Sequence, residues 1–277
     1  VNQSATDGQA SGLGKRIVSG LVLAALALAT TVRGDSPFAL LWAAAAVGVY
    51  WEWSAMVAGG AMALRAAGCT ALVLAAAAVL AGETAAALAP LAVGAVMAAM
   101  FAPPRRRAWG AAGVVYAGTL LLAPVVLRGD PQLGRTAILF LFAVVWATDI
   151  CGFFAGRWLG GPKLAAHISP GKTWSGACGG TLGAIAAGLA VMHAASEGTP
   201  AATACLALAL SIVAQGGDLL ESAVKRRFGV KDAGHVIPGH GGLMDRLDGF
   251  LAAAGVAALV GLLRGGIEAS AHGLLLW

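Results

Sequence analysis

The chain has 277 residues, of which 59% are hydrophobic and 11% charged, with a net charge of +5 and a mean hydropathy of +0.82. Apolar runs of membrane-spanning length recur from end to end, which excludes a soluble globular domain. The length suits one polytopic membrane domain, and the cations lie between apolar runs rather than in the surface stripe that nucleic-acid binding needs.

Residues 1–14 are polar, contain Gly and Ser, and are expected to be loose. Lys15-Arg16 then precede an apolar run from Ile17, which imitates a signal peptide. Without a convincing small-residue cleavage site, and with more spans to follow, it reads as an uncleaved first helix. The predicted spans are 17–32, 38–58, 68–82, 84–101, 108–127, 135–156, 175–194, 201–221 and 248–264. The fold class is therefore all-α: a polytopic integral membrane protein of about nine transmembrane helices. The short third and fourth spans also fit a single kinked or re-entrant pair. Residues 15–134 form an N-terminal set of helices and 135–264 a catalytic region with two loops. The tail 265–277 is too short to cross a bilayer.

The 40 Gly and abundant Ala suit close approach between membrane helices. Cys69, Cys151, Cys178 and Cys205 are scattered singly, without CxxC or Cys/His spacing, and read as packing residues. An N-terminus in the cytoplasm puts 14 of the 18 Lys and Arg on the cytoplasmic side, leaving Arg33, Arg128, Arg135 and Arg264 opposite. Two long connections, 157–174 and 222–247, are rich in Gly, Pro and charge, and face that same compartment.

The second of these carries the strongest signal. Ionisable residues at membrane depth cost roughly 2.5–3.5 kcal/mol on insertion scales, so their presence asks for a function. Asp218, Glu221, Ser222 and Lys225, spaced 0, 3, 4 and 7, share one helix face. Asp245 and Asp248 lie one turn apart at the mouth of the last span, and Asp149 lies inside the sixth. Such an oxygen-rich set suits a hard cation such as Mg²⁺, with substrate phosphates completing its shell. Lys225, Arg226, Lys231, Arg246 and, from the other loop, Lys172 are phosphate clamps by type. The turn Pro238-Gly239-His240-Gly241-Gly242 offers close backbone approach to a ligand. Together these residues point to phosphoryl or nucleotidyl transfer.

At these residues the chain resembles the phosphatidate cytidylyltransferase (CDP-diacylglycerol synthase) family. Its signature is read here in Ser222, Lys225-Arg226, Lys231-Asp232, Pro238, His240-Gly241-Gly242 and Asp245-Arg246-x-Asp248. Asp149 with GFFAGRWLG, Ile168-Ser169-Pro170-Gly171-Lys172-Thr173 and Gly179-Gly180 resemble the family's other loop, and Tyr50-Trp51-Glu52-Trp53 its early Trp-Glu motif. Ser175 departs from the acid that family members often carry before the Gly, and no role is assigned to it.

The resemblance implies transfer of CMP from CTP to phosphatidic acid, giving CDP-diacylglycerol and pyrophosphate. It implies a multi-pass protein of the inner (plasma) membrane with its active site on the cytoplasmic side. Asp218 and Asp245 would be the principal metal ligands, with Asp248, Asp149 and Glu221 as further candidates. The ion would be Mg²⁺, with K⁺ as an optional companion. Lys225 and Arg226 would be catalytic phosphate contacts. Lys172, Ser169, Ser222, Lys231, His240, Gly241, Gly242 and Arg246 would bind substrate. A homodimer is compatible with the resemblance.

Plainer readings stand beside these. Arg105-Arg106-Arg107 and Arg227 are topological anchors. Asp149 is open between a structural ion pair with Arg157 and a site role. Glu52 reads as an interface or packing residue rather than a ligand, and Asp232 as a residue that orders its loop. Ser169 to Thr173 is open between a plain turn and a phosphate contact, and His167, His193, His235 and His272 give no signal. A CTP-dependent lipid kinase is a related alternative. A CDP-alcohol phosphotransferase needs further acids after Asp248-Gly249, where FLAAAGVAALVGLL has none. A transporter does not need the loop's Lys/Arg/Gly pattern, and no internal repeat is evident.

Overall fold

The computed structural model describes residues 3–234 and 241–277, with side chains from Val18 onward. Pro238 and His240, both singled out in the signature turn, lie outside the described residues.

Among the described residues, eight helices are long and apolar enough to cross a membrane, and Val18–Arg33 adds a shorter apolar one. The helices are α1 (Gln3–Arg33), α2 (Asp35–Ala58), α3 (Met62–Leu80), α4 (Leu88–Phe101), α5 (Arg107–Arg128), α6 (Gly134–Leu159), α7 (Trp174–Ala195), α8 (Pro200–Arg227), α9 (Met244–Gly265) and α10 (Ser270–Leu275). The protein is thus a polytopic, mostly helical membrane protein, as its hydropathy required. The third and fourth spans are separate helices joined by a 3-10 turn at Thr84–Ala87, not one kinked pair. Helix α1 starts at Gln3, within the segment expected to be loose.

Local chemistry sets the helix ends. Helix α2 stops at Gly59, whose φ of 61° is left-handed, with the Gly59 and Gly60 amides closing onto Ala55 and Ser54. Helix α8 starts at Pro200 behind the Thr199 cap. It ends in a Schellman motif: Gly229 (φ 72°) donates to the Arg226 carbonyl and Val230 to that of Lys225.

Helices α2–α5 share one buried cluster, and a larger one runs from α2 and α5 through α6–α10. In the larger cluster Trp42 stacks on Phe250 with ring centroids 4.7 Å apart, and Phe142 stacks on Trp146 at 5.0 Å. Small residues let α6 and α7 touch almost backbone to backbone. A Cβ on Gly176 would stand 2.9 Å from the Gly152 carbonyl, and one on Gly180 2.5 Å from that of Thr148.

One feature departs from an all-helical reading. Within the 157–174 connection, β1 (Lys163–Ala165) and β2 (Ser169–Thr173) form an antiparallel hairpin, Lys163 opposite Thr173 and Ala165 opposite Ser169. Exposed aromatics flank it in the chain: Phe153, Phe154 and Trp158 toward the end of α6, and Trp174 at the start of α7.

Candidate active site

Helices α7 and α8 make two passes between the hairpin and the 228–243 loop, so both connections lie at one end of the bundle. Between them is a cleft of about 650 Å³. Helix α6 lines it with Thr148, Asp149, Phe153 and Arg157, the hairpin with Leu164, Lys172 and Thr173, α8 with Gln215, Asp218 and Lys225, and α9 with Asp245, Arg246 and Asp248.

The hairpin is tied down where it meets α7. The Thr173 hydroxyl accepts from the Gly176 amide at 3.1 Å and lies 3.0 Å from the Ser175 hydroxyl, which donates to the Gly160 carbonyl. Ser175 thus has a local structural contact at the position where no role was read. Anchored there, Lys172 crosses to α8 and forms an ion pair with Asp218. Ser222, one turn on, directs its hydroxyl toward the other Asp218 oxygen at 3.5 Å.

A second lysine joins α8 to α9. The Lys225 ammonium is 2.6 Å from Glu221 Oε2 and 2.6 Å from Asp245 Oδ1, and its side chain is only 12% exposed. Asp245 Oδ2 accepts from the amides of Gly242 at 3.0 Å and Ala233 at 3.2 Å, so one carboxylate gathers both ends of the loop. Asp248 accepts from the Gly249 amide at 2.7 Å. Asp149, Asp218 and Asp248 lie within electrostatic reach of one another, with Lys172 offsetting their repulsion and Arg246 adding to that offset at Asp149.

The structure brings seven of the singled-out residues to the cleft: Asp149, Lys172, Asp218, Lys225, Asp245, Arg246 and Asp248. Ser222 and Gly242 reach it through Asp218 and Asp245. Glu221 does not line it; its side chain is 1% exposed beneath Lys225. Arg226 and Lys231 are exposed, Arg226 lying 3.4 Å from the Val230 carbonyl, while Ser169 and Gly241 lie outside the lining. Asp149 and Arg157 both line the cleft and form no ion pair with each other among the described residues.

Sequence reading passed over Thr148, Gln215 and Thr181. Gln215 donates to the Thr181 hydroxyl at 3.1 Å, and Thr148 to that of Ser211 at 2.9 Å, forming a polar seam that runs inward from the cleft wall. Hydroxyl and amide side chains within apolar runs were the available signal. Glu52, read from the sequence as an interface or packing residue, is buried and accepts from the amides of Leu243 and Met244 at the start of α9.

The donor set suits Mg²⁺ in a particular way. Among the described residues no three acidic, His or Cys side chains form a closed cation cage. The cleft offers separate carboxylates beside lysines, and Mg²⁺ is usually held by one or two carboxylates plus substrate phosphates and water.

A helical membrane bundle with acids and lysines interleaved in one terminal cleft defines the class: a polytopic membrane protein with a charged cleft at one end. The chain belongs to the Cytidylyltransferase family, whose profile matches residues 14–263. It is 56% identical over 155 residues to the phosphatidate cytidylyltransferase of Brucella suis biovar 1 (strain 1330), covering 56% of this chain and 57% of that protein. It is 40% identical over 142 residues to the protein of that name from Haemophilus influenzae (strain ATCC 51907 / DSM 11121 / KW20 / Rd), covering 50% of this chain and 49% of that one. With the Bacillus subtilis (strain 168) protein of the same name it shares 40% over 138 residues, covering 50% and 51%. The matched region thus spans about half the length of these relatives.

Proposed function

We propose that this protein transfers CMP from CTP to phosphatidic acid, releasing pyrophosphate and forming CDP-diacylglycerol, a step of phospholipid biosynthesis. The observation that carries the reading is the pair of crossings in one cleft, Lys172 to Asp218 and Lys225 to Asp245, each linking two elements. Both lysines are held by carboxylates that phosphate oxygens can replace, which gives polyphosphate a built-in place to bind.

An oxygen of the lipid phosphate attacks the α-phosphorus of CTP in line. The bond from that phosphorus to the bridging oxygen breaks, and its electron pair leaves with pyrophosphate. Lys172, Lys225 and Arg246 stabilise the charge on the phosphates as it redistributes. A phosphate monoester is already anionic near pH 7, so no general base is required. Asp218 and Asp245, with Asp248 and Asp149 beside them, would hold Mg²⁺, which when bound neutralises nucleotide phosphate charge.

The cleft faces the cytoplasm on this reading, in keeping with the 14-to-4 split of Lys and Arg. A cysteine at position 163 or 231 should label only from the cytoplasmic side. The deciding assay gives purified protein in detergent labelled CTP, phosphatidic acid, Mg²⁺ and K⁺. Labelled CDP-diacylglycerol is expected, and its absence with folded protein overturns the proposal.

A further inference from the structure

Helix α9 carries Asp245 and Asp248, yet its own sequence does not cap it. The residue before its first turn is Leu243, which provides no side-chain acceptor. The first amides of a helix need partners from elsewhere and favour negative charge. The partner comes from α2, 191 residues away: Glu52 Oε1 accepts from the Leu243 amide at 2.9 Å and Oε2 from the Met244 amide at 2.8 Å. Glu52 is 2% exposed and does not line the cleft.

Gly234 and Gly242 lie tightly against this carboxylate. A Cβ on Gly234 would stand 2.5 Å from Glu52 Oε1, and one on Gly242 2.9 Å from Oε2. The residue after Met244 is Asp245, and Asp248 follows one turn later. The height and rotation of both acids relative to Lys172 and Asp218 therefore depend on where Glu52 holds the backbone.

We infer that Glu52 is a positioning residue: a remote helix cap, supplied by the N-terminal half, that sets the two α9 carboxylates for transfer. The kinetic part of this inference rests on the proposed CMP transfer. The capping part does not.

The test compares Glu52→Gln and Glu52→Ala with the unaltered full-length protein in detergent. Amide hydrogen exchange is followed in peptides covering 243–250, and kcat and KM for CTP are measured. Exchange there should quicken at least about threefold in Glu52→Gln, and further in Glu52→Ala, with little change in α3 and α4. The kcat should fall about 10- to 100-fold, the scale of a small misplacement at a reacting centre, with KM for CTP within about twofold. Glu52→Gln, nearly isosteric and still able to accept one bond, keeps the test alive if Glu52→Ala does not fold. Unchanged exchange at 243–250 overturns the cap. Faster exchange with unaltered kcat overturns its link to transfer, and a raised KM at normal kcat moves Glu52 onto the nucleotide and also overturns it. A protein that transfers no CMP at all refutes the proposed activity, while the exchange result still decides the cap.

Discussion

The two ends of the helix bundle both hold buried charge, and they treat it in opposite ways. Opposite the cleft, Asp130 is 1% exposed. Its Oδ1 accepts from the amides of Gln132 and Leu133 at 3.0 Å, and Oδ2 from the His272 amide at 3.0 Å, with the His272 ring 3.2 Å away. Nearby, Arg264 donates to the carbonyls of Gly273 at 2.5 Å and Leu276 at 3.0 Å and lies over the Trp277 ring. There the polar groups are satisfied largely by backbone, which docks α10. In the cleft, Lys172 and Lys225 are held by carboxylates and face open volume, although Asp245 and Asp248 also accept from backbone amides. The Asp130 charge is committed to the fold, whereas a lysine bound to countercharge can exchange it for a ligand.

The sharpest way to break this contrast is at the acids. Asp218→Asn and Asp245→Asn should each lower turnover by about 1000-fold or more at saturating Mg²⁺ while membrane insertion is retained. Near-normal activity in either would remove that residue from the proposed metal site. Next come the cations. Lys225→Ala should cost roughly 30- to 1000-fold in kcat/KM, and Arg226→Ala, at an exposed position outside the cleft lining, less, with the Mg²⁺ requirement unchanged. Arg227→Ala should change little, and equal damage at 226 and 227 would refute the division between contact and anchor.

Lys225→Ala also leaves Glu221 buried without its counterion, so Tm should fall as well. The pair Lys225→Met with Glu221→Gln should recover Tm but not turnover; recovery of both would make Lys225 purely structural. At the other end, Asp130→Ala should cost about 2 kcal/mol of stability and leave kcat intact below the melting range. Burial alone would raise the Asp130 pKa, but the amides of Leu133 and His272 outweigh it and hold it below the usual carboxylate value. Its stabilisation is therefore fully present above about pH 4, the unfolded value, and is lost as pH falls through the lower folded value. Tm should drop over that acid range in the parent and less in Asp130→Ala.

How much of this was readable depended on distance along the chain. Asp218 with Ser222, and Asp245 with Asp248, follow from helical spacing, and the parity of Lys and Arg put both loops at one end. Spacing misled at Glu221, because a shared face three residues wide spans both the cleft wall and the packed seam behind it. The hairpin carried no alternating apolar pattern, since SPGKT is organised by its turn and by the Thr173 cap. Arg106 looked like an anchor beside Arg105 and Arg107, yet it donates to the Val57 carbonyl at 2.6 Å and lies over the Phe228 ring. Nor does periodicity within α2 reveal that Glu52 ends against α9. Contacts between segments far apart in sequence leave no local pattern to read.

The exposed aromatics around the hairpin carry one more consequence. Phe153, Phe154, Trp158 and Trp174 are exposed aromatics of the kind that settle at the boundary between hydrocarbon and headgroups. At that depth, on the proposed CMP transfer, the lipid reactant would arrive by sliding within its own leaflet while the nucleotide would arrive from water. For such a reactant the governing quantity is surface density, the mole fraction in the bilayer. Diluting it with inert lipid slows the encounter even when the total amount in the vessel is unchanged.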